Sequence, residues 1–190
     1  MIRHGETDWN RAGKLQGRED IALNENGIRQ AVRCGQAFKG RKIRAVITSP
    51  LIRAKRTAEI IAENIGLDQV IVDDGLIERD FGAIAGVTYD KRKYFDTFGM
   101  EEGIEPWEEL HQRLIGCITR LAKEYYDEDI IMVSHGAAIN SVVSILTAGE
   151  MGSGKTRLKN TCISILHYNM QQLQLDSYNL TVEEFMTSGN

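Results

Sequence analysis

Proline is almost absent from these 190 residues, cysteine is sparse, and positive charge falls short of negative. Two prolines, Pro50 and Pro106, leave room for long uninterrupted helices, and no repeat or low-complexity tract divides the chain. The three cysteines, Cys34, Cys117 and Cys162, are odd in number, widely spaced and set in apolar periodic segments. They read as buried thiols of a reducing compartment, not as a disulfide framework or a zinc site. Lys and Arg number 23 against 27 Asp and Glu, a formal net charge of -4 with no dense basic run. That argues against a nucleic-acid footprint and against a polybasic membrane patch. No apolar run approaches membrane-spanning length and no signal-type apolar region opens the chain, so a cytoplasmic protein is expected. What is present, 42% apolar residues in a chain of this length, suits one domain covering residues 1–190 with a full core.

The chain is organised around its opening, Met1-Ile2-Arg3-His4-Gly5-Glu6-Thr7-Asp8-Trp9-Asn10. An arginine beside a histidine, followed by a glycine that lets backbone approach a ligand, makes an anion site carrying its own nucleophile. Residues alternating on a strand point to opposite faces, so Arg3 and His4 converge only where the chain leaves a sheet and turns, and Gly5 supplies the turn.

The segment from Arg11 to Asn24 reads as a loop over this site. Asn24 caps a helix from Glu25 to Lys39, with Ile28, Ala31, Val32, Gly35 and Phe38 as its apolar stripe. Ile43 to Thr48 reads as a buried strand, and Ser49-Pro50 as N-cap and first position of a helix that runs through Leu51, Ala54, Ala58, Ile61 and Ile65 to Gly66. Arg53 falls in its first turn. Gln69 to Asp73 suggests another strand, followed by a loop from Gly75 to Gly82 in which Glu78 lies among apolar neighbours, a setting that suits a general acid. Val87 to Gly103 suggests a short helix plus lid. Glu105 to Tyr126 makes a long amphipathic helix, Ile130 to Val133 a strand, and Ala137 to Thr147 a further helix. Between those last two, Ser134-His135-Gly136 repeats the arrangement of residues 3 to 5. Thr161 to Tyr168 and Gln172 to Tyr178 read as a hairpin around Asn169. Strands alternating with helices predict an α/β fold, a three-layer α-β-α sandwich with a mostly parallel central sheet that admits one antiparallel edge strand. Ligands of such sheets bind beyond the carboxyl ends of the strands, where His4, Arg53 and His135 all fall.

The stretches RHGETDWN, SPLIRAKRTA, LIERDFGAIAG and VSHGAAI, in that order and across nearly the whole chain, resemble the histidine phosphatase superfamily, also called the phosphoglycerate-mutase-like family. The resemblance implies that His4 is a nucleophile that becomes phosphohistidine, that Arg3, Arg53 and His135 hold the phosphoryl oxygens, and that Glu78 donates a proton to the leaving oxygen. Asn10, Gln16, Gly17 and Gly136 complete the implied substrate-binding set. No metal and no cofactor is expected, and the partner is a small phosphorylated metabolite, with residues 83–104 as the lid. Catalysis by Glu78 calls for a carboxyl that holds its proton, which desolvation by Ile77 and Phe81 would favour.

Two departures from the family pattern bear on function. Only Met1 and Ile2 precede the RHG motif, where members have several more strand residues, so upstream residues are expected. No adjacent arginine pair occurs in residues 83–134 and Ala137 follows Gly136, which favours a metal-independent phosphomonoesterase over the mutase of the same family. Two readings from other classes stand beside it. Gly149-Glu150-Met151-Gly152-Ser153-Gly154-Lys155-Thr156 matches the P-loop pattern of nucleotide-binding proteins, a pattern that needs a strand before it and a helix after it. A binding module that keeps the phosphate pocket without catalysis is the other.

Overall fold

Successive apolar residues in the stretches Ile43–Thr48 and Asp129–Ser134 point to opposite faces of a sheet and oblige it to be covered on both. In the computed structural model, which describes residues 1–89 and 102–188, β1 (Ile2–Arg3), β2 (Ile43–Thr48), β3 (Ile71–Val72), β4 (Asp129–Ser134), β5 (Ile163–Tyr168) and β6 (Leu173–Leu180) form one sheet. Its order is β3-β2-β4-β1-β5-β6. The first four strands in that order run parallel, and β5 is antiparallel to both neighbours. The reversed strand is therefore β5, one in from the edge, and β6 at the edge resumes the original direction.

The helices divide between the two faces. Ala45, Ile47 and Met132 point to one side, where they meet α4 (Trp107–Glu124) and α5 (Gly136–Leu146) through Leu110, Leu114, Ile118, Ile139 and Val142. On the other face Val46, Ile131 and Val133 meet α2 (Glu25–Ala37), α3 (Ile52–Ile65) and α6 (Val182–Thr187), using Cys34, Ala58, Ile61 and Phe185. Successive residues of β2 and β4 thus serve opposite layers, as a period of two demands. Each fully buried Leu or Ile contributes roughly 2 kcal/mol relative to exposure.

Several expectations shift. The helix expected to begin at Ser49-Pro50 starts at Ile52; Leu51 is its N-cap without a side-chain bond, and the Ile52 N–H donates instead to Asp20 Oδ1 at 2.7 Å. Pro50 lies two residues before the helix. Ile28 is 42% exposed, off the stripe assigned to it, because Gly27 occupies the inward position. The strand expected from Gln69 to Asp73 shrinks to Ile71–Val72, a partly exposed edge. Pro106 is the N-cap of α4 and does not stand inside its first turn. Within the loop from Arg11 to Asn24, bridges Thr7 to Leu23 and Lys14 to Thr88 fix the path, while Asp8–Arg11 forms a short helix, α1, ahead of it. α6 was unforeseen, although Thr181 and Glu184 form a capping box that the sequence displays. Of the expected lid, Gly82–Ile84 is a 3-10 turn and Ile104 bridges to Phe81; residues 90–101 lie outside those described.

Candidate active site

The parallel register brings three strand ends to one edge. Arg3 of β1 pairs with Ser134 of β4, and Thr48 of β2 pairs with Val133, so the next residues, His4, Ser49 and His135, leave the sheet together. The His4 and His135 ring centroids stand 5.2 Å apart. His4 Nδ1 is 2.7 Å from the Gly5 carbonyl, an acceptor only, which requires the proton on Nδ1 and leaves Nε2 as a bare nitrogen. The Gly5 N–H donates to Thr57 Oγ1 at 3.0 Å, and that hydroxyl donates to the Arg53 carbonyl at 2.7 Å, tying the loop to α3. Gly5 is a glycine for a steric reason: a Cβ there would come 2.5 Å from the Gly27 carbonyl oxygen of α2. Asn160 Nδ2 donates to the His4 carbonyl at 3.0 Å and to Asn10 Oδ1 at 3.2 Å.

Arg53 is 1% exposed and spends both terminal nitrogens on the covering loop, Nη1 on the Glu19 carbonyl at 2.6 Å and Nη2 on the Gly17 carbonyl at 2.7 Å. Arg3 Nη1 donates to the Leu158 carbonyl at 2.5 Å. A Cβ placed on Gly136 would come 3.5 Å from Arg3 Nε, so the start of α5 abuts this guanidinium. His135 Nε2 lies 2.7 Å from Ser49 Oγ. Three buried nitrogens here have no hydrogen-bond partner among the described residues: Arg3 Nε, Arg53 Nε and His135 Nδ1. Unpaired buried polar groups are costly, and a cluster of them facing fixed positive charge is the electrostatic signature of an anion site. Burial, followed by the Arg53 and Arg3 charges, holds His4 well below its ordinary value of 6.5. The same holds for His135, where burial leads and Arg53, His4, Arg3 and Arg113 follow. Burial also lowers Arg53, to about 10, against the pull of Glu78 and Asp20, so it keeps its charge at neutral pH.

Glu78 is buried at the same edge, but in polar surroundings where apolar ones were expected. Its Oε1 accepts from the Arg79 and Ala138 N–H groups, each at 2.9 Å, and Oε2 from the Ala137 N–H at 3.1 Å. The first turn of α5, directly after His135, leaves these amides unpaired within the helix, and a carboxylate there meets the positive end of its dipole. Two arginines hold the Glu78 carbonyl, Arg18 Nε at 3.3 Å and Arg113 Nη2 at 3.4 Å. Arg113 also binds the Ile77 carbonyl and both oxygens of Glu105, which makes the acid-bearing loop a clamped one.

The substrate-binding candidates separate. Gly136 adjoins Arg3, whereas Gly17, at φ +53°, turns its carbonyl to Arg53. Gln16 Oε1 accepts from the Thr7 hydroxyl, and Asn10 Oδ1 accepts from the Thr7 N–H, so both side chains brace the loop beside His4. Sequence reasoning overlooked Ser49, Thr57, Asn160 and Arg113. Thr57 carried a signal, four residues after Arg53 on one helix face; Asn160 and Arg113 carried none. The P-loop match has neither required neighbour: it follows α5 and leads through Leu158 toward β5, and Lys155 Nζ binds the Gly149 carbonyl of its own turn. His111 packs near Trp107 at 6.1 Å between centroids and His167 is exposed, both apart from this cluster.

Comparison with known proteins identifies the family of the chain. The family model described as histidine phosphatase superfamily (branch 1) matches residues 1–181. An uncharacterized phosphatase, PhoE, of Bacillus subtilis (strain 168) is 38% identical over 180 residues, covering 95% of this chain and 93% of its own. A metal-independent phosphoserine phosphatase of Arabidopsis thaliana is 30% identical, over 94% of this chain and 79% of its own. Among solved structures, a phosphoserine phosphatase variant from Entamoeba histolytica, in complex with phosphoserine, superposes with a TM-score of 0.81 at 31% identity and covers 95% of each chain. With two histidines and two arginines at one parallel-sheet edge and matches that run almost from end to end, the chain belongs to the histidine phosphatase superfamily, branch 1.

Proposed function

We propose that residues 1–190 form a single domain that hydrolyses phosphomonoesters of small metabolites, needs no metal, and passes through a phosphohistidine on His4. The observation that carries this reading is the trio of buried nitrogens that have no partner among the described residues, Arg3 Nε, Arg53 Nε and His135 Nδ1, set around an uncharged His4. His4 Nε2 attacks phosphorus in line, and the bond from phosphorus to the ester oxygen breaks. The two arginines supply the fixed positive charge that a metal would otherwise bring to the equatorial oxygens. Glu78 passes its proton to the departing alkoxide; Oε2, with a single amide donor, is the oxygen better placed to give it. Water then attacks phosphorus, Glu78 takes up its proton, and cleavage of the phosphorus–nitrogen bond releases phosphate and restores neutral His4. Asn10, Gln16 and Gly17 act from behind, bracing the loop and Arg53. The relatives are named both as phosphatases and as probable phosphoglycerate mutases, so the choice of hydrolysis rests on the lack of an adjacent arginine pair in residues 83–134 and on Ala137 after Gly136.

A phosphate-release screen across phosphoserine, phosphoglycerates, sugar phosphates and nucleotides, run with and without EDTA, tests the assignment. Release is expected to be insensitive to EDTA and almost abolished in His4→Ala, which lacks the attacking nitrogen. Undiminished release from His4→Ala contradicts the reading. Transfer of phosphate between the carbons of phosphoglycerate, faster than its release, makes the protein a mutase instead.

A further inference from the structure

Ser49 and His135 are both fully buried, at the ends of β2 and β4, and the Oγ to Nε2 distance of 2.7 Å leaves open which atom donates. The surroundings decide it. Ser49 Oγ already accepts the Leu51 N–H at 3.3 Å, and among the described residues the hydroxyl makes no other bond than the one to His135. Were Nε2–H the donor, the serine proton would have no acceptor among these residues, and Nδ1 would present a bare lone pair beside two arginine nitrogens suited to an anion. With the serine proton on the shared bond, every atom is used: Oγ accepts once and donates once, Nε2 accepts, and Nδ1 carries hydrogen. Among the described residues Nδ1 of His135 is buried without a partner, as are Arg3 Nε and Arg53 Nε, which are donors by constitution.

We propose that Ser49 is a positioning residue that locks His135 in its neutral Nδ1–H form, so that His135 serves the bound phosphoryl group as an uncharged hydrogen-bond donor rather than as a cation. The inference rests on the phosphate-site reading above. His4, Arg3, Arg53 and Arg113 face His135 with positive or potentially positive charge and oppose its protonation, and the Glu78 side chain is engaged by the Ala137 and Ala138 N–H groups of the next turn. A cationic His135 would add to a positive site, whereas the neutral tautomer adds direction.

Nitrogen NMR of the histidine-labelled full chain separates protonated from bare ring nitrogens, with His135→Gln identifying the resonances. The wild type is expected to show a protonated Nδ1 and a bare Nε2 at His135, and Ser49→Ala to mix or invert the tautomers. Ser49→Thr, which keeps the hydroxyl, is expected to restore them. Vanadate should bind Ser49→Ala about tenfold more weakly by calorimetry, the scale of one hydrogen bond. A bare Nδ1 in the wild type, which is read even if Ser49→Ala does not fold, overturns the proposal; so does a tautomer that Ser49→Ala leaves unchanged. Neither readout requires turnover, so a correct tautomer with no phosphatase activity would remove the functional reading and leave this one standing.

Discussion

A histidine attacks phosphorus only while its ring is uncharged, and the residues around His4 secure that state by burial and by the repulsion of Arg53 and Arg3. The same forces tie folding to pH. When the chain unfolds, His4 and His135 regain their ordinary value of 6.5 and bind protons below it, whereas the folded protein keeps both rings neutral. The unfolded state thus binds more protons, and stability, fully present above pH 6.5, falls as the pH drops below that value. Two such groups are expected to remove about 3 kcal/mol between pH 8 and pH 5.5. Urea unfolding across that range measures it, and His4→Ala should show roughly half the loss. A midpoint that stays flat between pH 8 and pH 5.5, within about 0.5 kcal/mol, contradicts neutral burial of these rings.

At the scale of elements, α3 matters most, because its first turn carries Arg53 into the sheet edge while Thr57, one turn on, holds the Gly5 amide. Its N-terminus is completed from a distance, by Asp20 Oδ1 accepting the Ile52 N–H. Asp20→Ala is expected to cost about 1 kcal/mol, the usual weight of an N-cap, whereas Asp20→Asn should keep most of it. Because Arg53 grips the Glu19 and Gly17 carbonyls of the same loop, Asp20→Ala should also weaken vanadate inhibition, and unchanged inhibition would separate the cap from the site. This helix also marks where sequence reading reached its limit. The periodicity of Ala54, Ala58 and Ile61 was legible because burial on one face leaves a repeat, but the start was misplaced because the cap lies 32 residues upstream. Ser49-Pro50 has the form of a helix start, and tertiary structure turned the serine to His135 instead. Gly27 was hidden for a related reason: its role is the close backbone approach of Glu6 and Gly5, which no local pattern encodes.

For the molecule as a whole, the site was legible where chemistry sits beside a strand end and illegible where it depends on folding. Arg3, His4 and His135 each follow a short apolar run, so their shared edge follows from a parallel sheet. The surroundings of Glu78 did not follow, since two of the three amides that meet its side chain come from Ala137 and Ala138, about 60 residues on, at a helix start that only the packed fold places there. Arg113 and Asn160 join from α4 and from the loop before β5 for the same reason. What this assembly is built to do, on the present account, is carry a phosphoryl group on one nitrogen. Glu78→Gln should slow the attack of water more than the loss of a leaving group that needs no proton, so the intermediate should accumulate. The most direct measurement is rapid quenching of Glu78→Gln with radiolabelled nitrophenyl phosphate, followed by peptide mapping under alkaline conditions. The account predicts acid-labile, alkali-stable label on His4; label on another residue, or steady turnover with none on the protein, would contradict it.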